Sequence, residues 1–272
     1  MPNIRKKTDQ PKLNLKQNLQ NKYVAFLDVM GFSNLVYSSR VDILESYFDR
    51  IIEVLEELKI EKANIQSFQI SDSIILICPD SPKDFKNLIL AIRRIQNSLL
   101  YKKILLRGAI SYGKVYYNSI KNIIVGVGYI RAYKLEQEAK FPRVIIDPII
   151  VKHIANDRQS FIDTINAKDD INIDSRYIYE RGKYSTILDD AIFIDYATRV
   201  LKSNKIYANF HKLYDTIVEN FYGDQSLYIK YVWLKDYFLE HLQIRLDSIP
   251  LNKHDTNYAN DIQNWIDKFK RL

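Results

Sequence analysis

A single cysteine, Cys78, is present among 272 residues. One thiol cannot close an internal disulfide and has no companion for a cysteine-based metal site. No apolar run approaches the roughly 20 residues that a membrane-spanning helix needs, so none of the chain is expected to enter a bilayer. Residues 1–20 carry Arg5, Lys6, Lys7, Lys12 and Lys16 without an apolar core. They match neither a secretory leader nor a lipid-anchor pattern and read as a basic flexible tail. His153, His211, His241 and His254 show no H-x-x-x-H or H-E spacing, which argues against a histidine-held metal. Gly126-Val127-Gly128 lacks the third glycine and the following βαβ unit of a dinucleotide fingerprint. No internal repeat or low-complexity stretch occurs. The expected compartment is the cytoplasm.

What is there describes a folded chain. Hydrophobic residues make up 47% and charged residues 27%, ordinary globular values that exclude a disordered one. The length fits one large domain, or a domain with an extension. Forty basic residues against 33 acidic ones give a net charge of +7. Past the tail the basic residues are spread evenly, whereas a nucleic-acid groove concentrates them; anionic nucleotides fit the balance equally well. No nucleic-acid partner is expected.

Hydrophobic periodicity divides the chain further. Tyr23 to Asp28 is a buried strand ending in an acid, and Gly31 breaks the chain after it. Apolar residues from Asn34 to Leu58 recur at helical spacing, as one long helix or two short ones. Ile65–Ile70 and Ser73–Cys78 are strands separated by Ser71-Asp72, a hairpin with an aspartate at its tip. Lys83 to Tyr101 is helical. Ile104–Ser111 and Lys114–Tyr117 read as a second hairpin around Gly113. An apolar run, Ile123–Val127, leads into a helix through Glu138, and Val144–Asp147 is another strand. The order begins as βαββαβ, the ferredoxin-like pattern: an α+β fold with an antiparallel sheet and helices on one face. Residues 21–150 form this core. Residues 151–272 form a mixed, mainly helical extension packed on it, with a strand at Ala191–Ile194 and helices over 205–221, 227–246 and 257–269. Cys78, after an apolar strand, is expected to be buried rather than nucleophilic.

Two aspartates stand out by position. Asp28 ends the first strand, and Asp72, 44 residues later, tips the hairpin that this topology places beside it. Two carboxylates at adjacent strand ends, near free backbone N–H groups, suit Mg²⁺ or Mn²⁺ together with phosphates. Taken singly, such an aspartate is more often a turn former or helix cap.

The flanking residues bear on that choice. Phe26-Leu27-Asp28-Val29-Met30-Gly31-Phe32-Ser33 and Ile70-Ser71-Asp72-Ser73 resemble the two metal motifs of class III nucleotidyl cyclases. Leu106-Arg107-Gly108 through Gly113 resembles their arginine-bearing strand, and Gly126 through Ala132 and Leu135-Glu136 to Phe141-Pro142-Arg143-Val144-Ile145 their dimer-interface helix and next strand. The resemblance implies a homodimer with shared active sites and two Mn²⁺ or Mg²⁺ ions per site, held by Asp28, Asp72 and the backbone of Val29. It implies that the turn through Val29, Gly31, Phe32 and Ser33 binds the triphosphate, with Arg107 beside it. The ribose 3′-hydroxyl would then attack the α-phosphate in line, with pyrophosphate leaving.

Several positions depart from the purine-cyclase pattern. The base-reading residues fall on Phe68 and Ile123, neither of which can hydrogen-bond a purine edge through its side chain. The expected asparagine is Ile130, and the transition-state arginine is Lys134, which keeps charge but not the planar fork. Arg131, three residues earlier on the helix, is the alternative guanidinium. In these losses the chain resembles the pyrimidine cyclases of Pycsar antiphage systems, as do its segments Asp189–Tyr196 and Lys230–Leu234. That resemblance implies a cyclic UMP or cyclic CMP synthase, UTP favoured over CTP, whose product activates a separate effector that it does not contact. Phe68 would stack on a single-ring base; equally, it is a core residue of an alternating strand. An atypical adenylate or guanylate cyclase and a catalytically silent nucleotide-binding scaffold are the alternatives.

Overall fold

Side chains of the first long strand alternate between two packed faces, and this alternation organises the molecule. The computed structural model describes residues 14–37, 41–60, 64–167, 178–179, 191–201, 206–221, 225–249 and 256–272. The basic residues up to Lys12, the Asp189-Asp190 pair and His254 lie outside the described residues. In chain order the elements are α1 (Leu15–Asn18), β1 (Gln20–Val29), α2 (Phe32–Tyr37), α3 (Val41–Ile60), β2 (Gln66–Ile70), β3 (Ser73–Pro79) and α4 (Pro82–Leu100). Then come β4 (Leu106–Asn118), β5 (Ile123–Gly126), α5 (Val127–Glu138), β6 (Val144–Ile146), α6 (Pro148–Ile154) and α7 (Arg158–Asn166). The C-terminal part contains β7 (Ile178–Tyr179), β8 (Phe193–Ile194), α8 (Ala197–Leu201), α9 (Ile206–Phe221), α10 (Gln225–Asp247) and α11 (Thr256–Lys270).

The protein is α+β. Its strands lie in the order β2-β3-β1-β4-β6-β8-β7, with β5 pairing the far end of β4. The first four are mutually antiparallel, as the ferredoxin-like pattern requires, whereas β6 runs parallel to β4. Tyr23, Ala25, Leu27 and Val29 of β1 point into a core closed by Ile51 and Val54 of α3 and Leu88 and Ile92 of α4. Val24 and Phe26 point the other way, onto Ala132 of α5. The expectation of helices on one face is thus corrected: α5 covers the opposite one. Its buried stripe is only Gly128, Ala132 and Glu136, too small to read as an amphipathic face.

The expected hairpin at Gly113 is also corrected. β4 is one continuous strand of 13 residues through Gly113, and the reversal comes at 119–122, leading into β5. Gly113 serves close approach instead. A Cβ there would sit 3.1 Å from the backbone nitrogen of Gly128, so the pair of glycines lets α5 lie against β4.

Local chemistry fixes the helix starts. The Ser81 hydroxyl accepts from Asp84 N–H ahead of α4, and Pro82 occupies the first turn. Asp147 caps α6 by accepting from Ile149 N–H, with Pro148 next. Cys78 is buried, and burial pushes its thiol pKa up.

The C-terminal helices share a third core with the sheet: Leu105, Ala109 and Ile145 meet Phe210, Trp233, Phe238, Trp265 and Phe269. A fully enclosed polar knot sits at this seam. The Tyr237 hydroxyl donates to Asp195 Oδ1 (2.8 Å) and accepts from the N–H groups of Tyr196 and Ala197 (both 3.0 Å). His241 Nε2 and the Thr198 hydroxyl meet Asp195 Oδ2 at 3.2 and 2.6 Å. His241 is therefore a satisfied core residue, and His211 an exposed one beside Asp215. Among the described residues no helix is long and apolar enough to cross a membrane.

Removing the Tyr237 hydroxyl leaves two buried backbone donors, the N–H groups of Tyr196 and Ala197, without that partner, while Asp195 Oδ1 keeps Thr198 N–H. Tyr237→Phe is expected to destabilise the protein by roughly 2–4 kcal/mol, read as a lower urea midpoint with an unchanged slope.

Candidate active site

Antiparallel register brings the site together. Asp28, at the end of β1, lies opposite Arg107 of β4 and opposite Ser73 of β3. Asp72 immediately precedes Ser73 in the two-residue turn of the β2–β3 hairpin, where Ser71 takes a left-handed φ of 53°. The two aspartates are thus placed side by side by strand pairing, and the charge of Asp72 is felt at Asp28.

The Arg107 guanidinium organises the acids. Its Nη2 and Nε donate to Asp28 Oδ2 at 3.2 and 3.3 Å. Its Nε also lies 2.5 Å from Glu136 Oε1, an ion pair whose N–H points toward Asp28, so that this Glu136 oxygen lacks a hydrogen bond. The Glu136 side chain is only 5% exposed, and burial raises its pKa against the pull of Arg107. From α3, the Tyr47 hydroxyl donates to the Asp72 carbonyl oxygen at 3.3 Å. Burial, then the charges of Asp72 and Asp28, raise the Tyr47 phenol pKa.

Asp28 carries the electrostatic load. Burial first, then the negative charges of Glu136 and Asp72, raise its pKa to about 6, although Arg107 pulls the other way. A carboxylate stressed by like charges gains from a hard cation, and the donors here are all oxygens. Among the described residues no group of three or more His, Cys, Asp or Glu side chains is arranged to hold a metal. Two carboxylates with a backbone carbonyl still fit Mg²⁺ or Mn²⁺, ions that take the rest of their shell from phosphate and water.

Other expected residues divide into two groups. Val29 is buried beside Asp28, and Gly31 turns the chain at a φ of 77°. Phe32 packs edge-on to Tyr47 with centroids 6.1 Å apart, and Ser33 is exposed. These adjoin the acids. Phe68 is half-buried on the α5 face, against Val24, Phe26 and Ile75, with its ring edge-on to Tyr117 at 6.4 Å. Ile123 pairs with Asn118 at the far end of β4, and the structure does not bring it to Asp28.

On α5, Lys134 is exposed. Arg131 is bidentate on Asp147, its Nε and Nη2 each 2.9 Å from a carboxylate oxygen. Burial alone would raise the Asp147 pKa, but Arg131, the Ser111 hydroxyl and Ile149 N–H together hold it below the usual range. Tyr47 and Glu136 are the two site residues that sequence reasoning missed. The available signal for Glu136 was an acid at i+4 from Ala132 and i+8 from Gly128 on the buried stripe.

No protein-family model and no curated protein matches this sequence. Among solved structures, the guanylyl cyclase Cya2 is similar at 13% identity, over 65% of this chain and 91% of that one, with a TM-score of 0.42. The adenylyl cyclase CyaB from P. aeruginosa is similar at 14% identity, over 65% and 92%, with a TM-score of 0.41. The guanylyl cyclase domain of the RhoGC fusion protein from the aquatic fungus Blastocladiella emersonii is similar at 18% identity, over 50% and 83%, with a TM-score of 0.40. Values this low leave the chemistry to be argued from the residues of this chain.

The Asp28 shift has a definite sign. A carboxyl whose folded pKa lies above its unfolded value binds its proton more tightly when folded. Its contribution is fully present below about pH 4 and is lost as pH rises through about 6. With divalent ions chelated, Asp28→Asn is expected to be more stable than the parent at pH 8 by on the order of 1–3 kcal/mol. Urea melts of the two proteins should converge toward pH 4.

Proposed function

We propose that this protein is a metal-dependent nucleotidyl cyclase acting on a pyrimidine nucleoside triphosphate, UTP before CTP. The observation that carries the proposal is the Asp28–Asp72 pair at adjacent strand ends, with Asp28 raised to about 6 by burial and by its acidic neighbours. Side chains stressed in this way cluster at catalytic centres. Asp28, Asp72 and the Val29 carbonyl would hold Mg²⁺ or Mn²⁺. When bound there, such ions supply Lewis acidity toward the ribose 3′-hydroxyl and charge neutralisation at the phosphates. Arg107, anchored by buried Glu136, fixes the rotamer of Asp28. Tyr47 holds the Asp72 turn through its backbone carbonyl. The exposed backbone at Gly31 and Ser33 is available to triphosphate oxygens.

Phe68 and Ile123 favour a pyrimidine, because neither offers a hydrogen-bonding side chain to a purine edge. The apolar surface on and beside α5, with Ile120, Val125, Val127, Ile130 and Tyr133 all exposed, favours a second copy of the chain as partner. In a two-fold dimer, Lys134 and Arg131 of one subunit would serve the phosphates at the other's carboxylates. A role for the cyclic product as a second messenger in antiphage defence, acting on a separate effector, rests on the sequence resemblance. One observation favours a silent nucleotide-binding scaffold instead: both guanidinium nitrogens of Arg131 facing Asp147 are already engaged.

Purified protein given ATP, GTP, CTP and UTP separately with Mn²⁺ or Mg²⁺ is expected to release a cyclic pyrimidine nucleotide and pyrophosphate. Asp72→Ala should lower turnover at least 100-fold while the fold persists by circular dichroism. A cyclic purine product would overturn the pyrimidine assignment, and nucleotide binding without turnover would favour the scaffold.

A further inference from the structure

The Arg107 guanidinium is shared unequally between two acids. Both of its hydrogen bonds to Asp28 end on one oxygen, Oδ2, at 3.2 and 3.3 Å. These are long for bonds between opposite charges, which favour roughly 2.7–2.9 Å. The other acid lies nearer. Nε is 2.5 Å from Glu136 Oε1, yet its N–H is aimed at Asp28, and this Glu136 oxygen is sealed from solvent without a hydrogen bond. Leaving a buried charged acceptor unmet is costly. Redirecting the Nε–H from Asp28 to Glu136 would meet it, and would give up only long bonds in exchange.

Exposure and charge point the same way. The Asp28 side chain is 19% exposed and that of Glu136 5%, so a cation arriving from solvent reaches Asp28 first. Arg107, at 30%, has room to turn. The charged groups acting on Asp28 are Glu136, Asp72 and Arg107. Three carboxylates thus face one guanidinium, and two negative charges are left unmatched, as many as one divalent ion carries. Such an ion and Arg107 would compete for the same acid, while Glu136 holds an oxygen ready for the guanidinium.

We infer that Arg107 is the built-in counter-ion of the carboxylate site: a divalent ion displaces it from Asp28, and Glu136 receives it. Glu136 is then a positioning residue that favours the ion by way of Arg107. The inference rests on the metal-holding part of the proposed function, and it does not depend on turnover or on which base is used.

Mn²⁺ affinity without nucleotide, read from the loss of the free-ion signal in electron paramagnetic resonance, tests it on the full chain. Arg107→Gln is expected to bind Mn²⁺ at least tenfold more tightly than the parent, and Asp28→Asn to abolish binding. Glu136→Gln should bind at least tenfold more weakly. The same change made on top of Arg107→Gln should weaken binding less than threefold, because no guanidinium remains to be received. Additive effects of the two changes would overturn the inference and reduce Glu136 to a nearby charge. Weaker binding by Arg107→Gln would also overturn it, as would a parent that takes up no Mn²⁺. If Arg107→Gln fails to fold, nitrogen NMR of the parent carries the test. The Arg107 Nε–H resonance, identified by its loss in Arg107→Lys, should move as Mg²⁺ binds, and a resonance unmoved at saturation overturns the inference. Coupled Mn²⁺ binding without any cyclic product would sink the cyclase and leave this inference standing; additive binding with product formed would do the reverse.

Discussion

One guanidinium holds the acidic end of the sheet together. Arg107 lies between Asp28 of β1 and Glu136 of α5, two groups joined neither by sequence nor by backbone hydrogen bonding. Without it, three carboxylates would crowd one strand end in a partly buried setting, where like charges repel strongly. The cation does not remove that stress; Asp28 is still raised to about 6. The balance leaves the carboxylates close, oriented and unsatisfied, a state suited to receiving further positive charge. Strand register sets the positions, Arg107 sets the rotamers, and Glu136 holds Arg107 from behind.

The same end of the sheet is braced from the opposite face. Tyr47, buried on α3, reaches the backbone of the Asp72 turn, so α3 and α5 contact the site from the two sides of a single sheet.

Much of the core topology was readable because each long element carries its own period. Alternation in Tyr23–Val29 and Ser73–Cys78 and helical spacing from Phe85 to Ile95 leave little room for other readings. Asp28 and Asp72 were readable for a related reason, since each follows directly from where a strand stops. The failures have physical causes. Gly113 resembles a turn in sequence, yet it is a contact point for another glycine 15 positions later, and such a pairing has no local signature. The covering role of α5 was hidden because its buried stripe is built from a glycine, an alanine and an acid. Glu136 and Tyr47 reach the site by tertiary contacts, and a helical glutamate or tyrosine ordinarily reads as surface or packing.

β4 has a consequence that extends past one chain. Its uninterrupted run separates Arg107, beside the carboxylates, from Asn118, beside Ile123, by eleven strand steps. At 3.3–3.4 Å per step this is about 36–37 Å, longer than a nucleoside triphosphate. The strand acts as a ruler. No small ligand can touch both of its ends within one subunit, so a pocket that used both would need a second chain. Its width would then be set by how far two chains slide past one another, not by the flexibility of either.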